Sequence, residues 1–288
     1  MTYDFDKLWN YAKPADTELA FLELLPKALE SNNPDYHLQL LTQIARAQGL
    51  QQQFDRAHHT LDEVGKLLNT AAFPVAAIRY LLERGRVFNS SGKAAEAKPF
   101  FEQALKLSEE TGNDFYAADA LHMLAIVTPP DEALQWNLKA LQLAESSSDS
   151  RTQKWLGSLY NNIGWTYFEM ADYEKALSLF KKCLEWNEKH HHHTEAFIAR
   201  WSVGKALRLQ NKATDALIMQ TALLKEMIDH NMEEDGFVFE ELAECLLQLN
   251  RPEQAKKYFA AAYNLLSKDI WLQKNEVNRL TRLKTLGS

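Results

Sequence analysis

Glycine and proline are both scarce in this chain, at 10 and 8 of 288 residues, roughly half of average usage. That leaves few of the turn residues that an all-β or α/β fold needs, so helix is favoured before any pattern is read. Cysteine is scarcer still. Cys183 and Cys245 are too few and too far apart for a disulfide framework or a zinc knuckle, which points to a reducing compartment, with cytoplasm as the expected location. No run of 18 apolar residues occurs, and the opening MTYDFDKLWNYAKPAD has no basic start followed by an apolar core. Neither membrane insertion nor secretion is expected. An excess of positive charge is missing too: the formal net charge is −7, which argues against nucleic acid or an anionic membrane as partner. There is no Gly-rich phosphate loop, HExxH or GxSxG, so neither an enzyme nor a cofactor is expected.

What the chain does have is enough apolar surface for a core, with 46% hydrophobic and 25% charged residues, and a repeat marked by small side chains. The clearest copy runs Tyr160-Asn-Asn-Ile163-Gly164-Trp-Thr-Tyr167, then Ala176, then Phe180. Small residues recur at Ala45, Gly85, Ala125, Gly164, Gly204 and Ala243, at spacings of 40, 40, 39, 40 and 39. A second small residue follows twelve later at Ala57, Ala97, Ala176, Ala216 and Ala255, and a large one four further on at Leu61, Phe101, Phe180 and Phe259. Two helices crossing closely need small residues at the crossing and large ones around it. Gln220 departs from the pattern and is expected to weaken packing there. In the third copy Pro129-Pro130 must end the first helix early, and a local distortion is expected before a second helix from Glu132 to Ser146.

This arrangement resembles the tetratricopeptide repeat, W-x2-L-G-x2-Y…A-x3-F, with a period longer than that family's basic repeat of about 34 residues. The resemblance implies an all-α fold: a right-handed α-solenoid of antiparallel helix pairs in a single domain over residues 1–288. Residues 1–37 are read as N-terminal capping helices, 38–267 as six repeats and 268–288 as a C-terminal capping helix. Long-period members resemble bacterial peptide sensors and cargo adaptors of the kinesin light chain type. At the ends, Asp4–Tyr11 and Asp16–Glu30 read as helices, and Trp271–Leu286 as one amphipathic helix with an apolar face of Trp271, Leu272, Val277, Leu280, Leu283 and Leu286.

In such an array the first helix of each pair lines the concave face. The residues predicted to meet a partner there are Arg46, Arg86, Asn89, His122, Asn161, Asn162, Trp165, Trp201, Lys205 and Arg208. Amides can hold an extended backbone, tryptophans can take an apolar anchor, and cations can meet carboxylates. The expected function is that of an interaction scaffold or regulatory peptide-binding protein, capturing an acidic or mixed segment. Glu233, Glu234, Asp235, Glu240, Glu241 and Glu244 form an acidic cluster at the other end, which also suits a solvated helix start. The alternatives are a structural homo-oligomer built on the C-terminal helix, so that the chain is a monomer or a homodimer, and a small-ligand sensor. His190, His191, His192 and His193 lie in a turn and imply opportunistic metal binding alone. Cys183 and Cys245 are expected in the core.

Overall fold

A computed structural model describes residues 4–288, and among them it contains helix and no strand. The described residues form two compact units, one ending at Trp155 and one beginning at Leu156. The first holds a 3-10 turn, Phe5–Leu8, and then α1 (Pro14–Glu30), α2 (Pro34–Leu50), α3 (Phe54–Leu67), α4 (Pro74–Ser90), α5 (Ala94–Glu110), α6 (Asp114–Val127), α7 (Pro130–Ser146) and the single turn α8 (Ser150–Gln153). The second holds α9 (Leu156–Glu169), α10 (Tyr173–Lys189), α11 (His193–Leu209), α12 (Ala213–Asp229), α13 (Gly236–Gln248), α14 (Pro252–Leu266), α15 (Ile270–Asn275) and α16 (Val277–Gly287). Proline opens α1, α2, α4, α7 and α14, where its missing N–H costs nothing.

Within each unit helices pack on their chain neighbours, and first helices also pack on one another, as α2 on α4 and α11 on α13. The small residues do what their spacing predicts. A methyl at Gly85 would lie 2.5 Å from the Phe101 ring, and one at Gly164 would lie 2.6 Å from the Phe180 ring. Phe101, Phe180 and Phe259 are all fully buried, each contributing about 2–3 kcal/mol of apolar burial. Gln220 is buried in the same place over Gly204. Its Nε2 donates to the Trp201 carbonyl at 3.1 Å, while its Oε1 has no donor among the described residues.

Turns are set by residues with left-handed backbone. Asn32, Gln52, Gly92 and Gly112 in the first unit, and Ala171, His191, Asn211, Asn231 and Asn250 in the second, all have positive φ and stand just past a helix end. Glycine and asparagine accept this readily, whereas alanine, glutamine and histidine bear a cost of about 1–2 kcal/mol.

The ends differ from the sequence reading. Residues Asp4–Tyr11 form a 3-10 turn and an irregular run rather than an α-helix, and α1 begins two residues earlier than expected, at Pro14. At the other end the backbone breaks at Glu276 (φ −127°, ψ 36°), so one capping helix becomes α15 and α16. The break brings Leu272, Leu280 and Leu283 into one core with Phe259 and leaves Trp271 and Val277 exposed. Thr128, held extended before Pro129, ends α6 as the two prolines require. Among the described residues no helix is long and apolar enough to cross a membrane.

Candidate binding faces

In the first unit the first helices α2, α4 and α6 carry Arg46, Arg86, Asn89 and His122. Their cations are tied to carboxylates. Arg46 lies 3.4 Å from Glu83, and Arg86 lies 2.6 Å from Glu83 and 2.5 Å from Asp119 on α6. Glu83 is 2% exposed. Burial alone would lower the Arg86 pKa, but the carboxylates of Asp119 and Glu83 outweigh it and hold the guanidinium above its ordinary value. Asn89 and His122 are half-buried. The His122 ring packs against Trp155 at 5.0 Å, and burial pushes its pKa below the usual histidine value.

The second unit repeats this device. Lys205 and Arg208 on α11 both reach Glu241 on α13, at 3.2 Å and 2.7 Å, and α16 continues the series with Arg279 on Glu240 and Arg282 on Glu244. Apart from Glu83 beside Arg86 on α4 itself, each partner stands on a neighbouring helix, 33 to 39 residues away in sequence. The cations of both faces therefore belong to ladders that bind first helix to first helix. The sequence reading treated them as free; the signal it missed is opposite charge recurring at about one repeat's distance on the same helical face. A glutamate at Arg86 would face Glu83 and Asp119, so charge reversal there would disturb the fold itself.

What remains available is polar, uncharged and aromatic. Asn161 is half-buried and Asn162 exposed on α9, joined by a side-chain hydrogen bond of 3.2 Å. Trp165 and Trp201 are half-buried, 5.8 Å apart between ring centres. Trp165 also packs on Phe168 and Phe180, and Trp201 donates through Nε1 to the Phe237 carbonyl at 3.1 Å. The Lys205 ammonium lies 4.9 Å above the Trp201 ring. Of the acidic cluster, Glu240, Glu241 and Glu244 are held in ion pairs, and Asp235 caps α13 by accepting from the Phe237 N–H at 2.7 Å.

The first unit also holds a concave pocket of about 520 Å³, lined by residues that include Trp9, Tyr11, Arg46, Arg79, Phe115 and Lys154. Its walls come from α2, α4, α6, α8 with Lys154 just after it, and the segment before α1, and the sequence reading placed no site residue on that segment.

The histidine turn is occupied by local contacts. The His190 ring packs at a tilt on Trp186 and its Nδ1 lies 2.7 Å from the Trp186 carbonyl, and His192 meets Asn187 Oδ1 at 3.2 Å. Among the described residues no group of three or more His, Cys, Asp or Glu side chains is arranged to hold a metal. Cys183 and Cys245 are buried, and burial pushes their thiols up to about 11 and about 12, far from the thiolate a nucleophile needs.

Stacked antiparallel helix pairs with small residues at each crossing define an α-solenoid, a fold in which curvature of the stack creates concave surfaces used for binding. Models of the tetratricopeptide repeat match residues 129–189, and also residues 78–111 and 238–265. These segments carry tetratricopeptide repeats. No curated protein matches it in sequence. Among solved structures, the Signal Transduction ATPase with Numerous Domains protein with a tetratricopeptide repeat sensor, from Pyrococcus horikoshii, aligns at a TM-score of 0.73 and 13% identity over 96% of this chain. This chain spans 44% of that protein's length. The apo form of RapI aligns at 0.73 and 13% identity, covering 92% of this chain and 76% of RapI. BtubC from P. vanneervenii gives 0.58 and 15%, covering 81% of this chain and 95% of that one. These likenesses show the fold.

Proposed function

We propose that this protein is a protein-interaction module, not an enzyme, and that it holds an extended segment of another protein along the first-helix faces of its repeats. The six pairs between residues 38 and 267 serve as the recognition array, with capping segments on either side. The observation that carries this reading is the division of labour on those faces. Lys205, Arg208 and Arg86 are neutralised within the protein, whereas Asn161, Asn162, Trp165 and Trp201 keep half-exposed or exposed surface. Amides can pair with a peptide backbone without a charge requirement, and tryptophan supplies contact area at low entropy cost. The segment taken is of mixed charge, with an apolar or aromatic anchor. Sensing, a role named for the P. horikoshii protein's repeats, is compatible with such capture.

The test is selection of dodecapeptides from a random library on the full chain, followed by titration against wild type and two variants, Asn162→Arg and Lys154→Glu. Both positions are exposed, so the fold is kept. Affinity reduced at least tenfold by either substitution supports the reading. Selected segments that bind both variants as well as wild type would move the binding surface elsewhere.

A further inference from the structure

The segment ahead of α1 behaves as a bound peptide. Phe5 is anchored in the core against Phe21, and from there the chain crosses the faces of α4 and α2. Asp6 makes a two-pronged ion pair with Arg79 on α4, Trp9 donates through Nε1 to Gln43 on α2 at 3.1 Å, and the Arg46 guanidinium lies 5.5 Å from the Trp9 ring and 5.4 Å from the Tyr11 ring. Trp9 and Tyr11 are stacked at 4.8 Å. These are an acidic group, an aromatic anchor and a cation–π contact, the interactions an extended partner would make on the same helices.

Arg79 shows why this matters. It is 7% exposed, and its carboxylate does not come from a neighbouring first helix, as in the ladders, but from Asp6. The Tyr116 hydroxyl, 2.7 Å from Nε, is its other partner. A buried guanidinium stripped of its carboxylate is costly, so the segment cannot simply leave; it can be exchanged for something that supplies a carboxylate. Room for exchange exists. The pocket of about 520 Å³ runs on from Asp6, Trp9 and Tyr11, Tyr11 is 59% exposed, and Lys154 stands exposed at its edge with no ion pair among the described residues.

We propose, resting on the function given above, that residues 6–11 are an intramolecular occupant of the first unit's concave face. The partner that this face accepts is a segment of the same chemistry: a carboxylate followed three residues later by a large aromatic. A tethered occupant acts at an effective concentration of about 1 mM, so a free segment making the same contacts binds wild type in about that range. Loosening the tether's contacts removes the competition, and apparent affinity rises by the factor lost from the occupant, up to about 100-fold for two contacts.

The experiment uses the full chain and a labelled, end-blocked hexapeptide with the sequence of residues 6–11, Asp-Lys-Leu-Trp-Asn-Tyr, titrated by fluorescence anisotropy. Asp6→Ala with Trp9→Ala is expected to bind it at least about 30-fold more tightly than wild type. Arg79→Met added to that variant, or a peptide with Asn and Ala in place of its Asp and Trp, should abolish the gain. Equal affinity for wild type and variant, absence of binding to both included, overturns the proposal. Should circular dichroism show the double variant unfolded, Tyr11→Ala, whose ring lies mostly outside the core, is read by the same criterion of tighter binding than wild type. Library-selected segments that bind wild type and variant alike would leave the interaction function standing and remove the intramolecular occupant. A folded variant that binds neither the hexapeptide nor any selected segment would remove both.

Discussion

Glu241 offers the sharpest test of the charge ladders. Its carboxylate is the shared acceptor for Arg208, at 2.7 and 3.0 Å, and for Lys205, at 3.2 Å, and its side chain is 2% exposed. Glu241→Gln keeps the shape and removes the charge, while turning an amide N–H₂ toward a guanidinium. Breaking a fully buried pair by removing one partner costs about 3–5 kcal/mol. Here the cations retain 15% and 18% side-chain exposure, so water recovers part of that, and a loss of about 2–4 kcal/mol is expected. Urea unfolding followed by circular dichroism reads it, and Arg208→Met in the same background should show a coupling of at least about 1 kcal/mol in a double-mutant cycle. The pH dependence has a defined sign. Burial raises the Glu241 pKa, but the hydrogen bond and charge of Arg208 and the charge of Lys205 overcome this and hold it below the ordinary glutamate value. A depressed folded pKa gives stability that is complete above the unfolded value, near pH 4.5, and is lost as pH falls through the folded value. Wild type should therefore lose stability as pH drops below about 4.5, and Glu241→Gln should lose less. A loss under about 0.5 kcal/mol with an unchanged acid limb would refute the ladder as a structural device and return Lys205 and Arg208 to the pool of free binding cations.

Ala171→Gly relieves a left-handed alanine at φ 59° and should raise stability by about 0.5–1 kcal/mol, measurable as a shift in melting temperature; a decrease would mean that the turn is held by something other than backbone sterics. Gln220→Leu removes a buried oxygen without a donor at the cost of one hydrogen bond to the Trp201 carbonyl, so stability should rise by about 1 kcal/mol in the same melt, and a fall of that size would assign the polar group a role. Cys183 and Cys245, with thiols pushed up to about 11 and about 12, should resist iodoacetamide at pH 8 in the native state and react in urea, as mass spectrometry would show.

The helix pairs were legible because steric contact at a crossing demands particular residue sizes at particular spacings. Gly85 under Phe101 and Gly164 under Phe180 are the same contact written twice. Gln220 shows the limit of that reading: the position was seen as a defect, yet the side chain fills the space with its amide. The first-helix positions were legible, and their ion pairs were not. Lys205 lies on a first helix, α11, but its partner Glu241 sits 36 residues on, and a charge reads as free until the neighbouring helix is known. The contacts of Asp6 and Trp9 were not legible because both lie outside the repeat and meet Arg79 and Gln43 through an irregular path. The break at Glu276 follows from where Leu272 and Leu280 must both pack, which amphipathic spacing alone does not specify.

The central claim is that partners lie along the first-helix faces, and oxidative footprinting of the tryptophans tests it most directly. With a library-selected segment at saturation, Trp165 and Trp201, both half-buried on α9 and α11, should lose reactivity while Trp271, 61% exposed on α15, keeps its own. Protection of Trp271 with Trp165 and Trp201 unchanged would contradict the account.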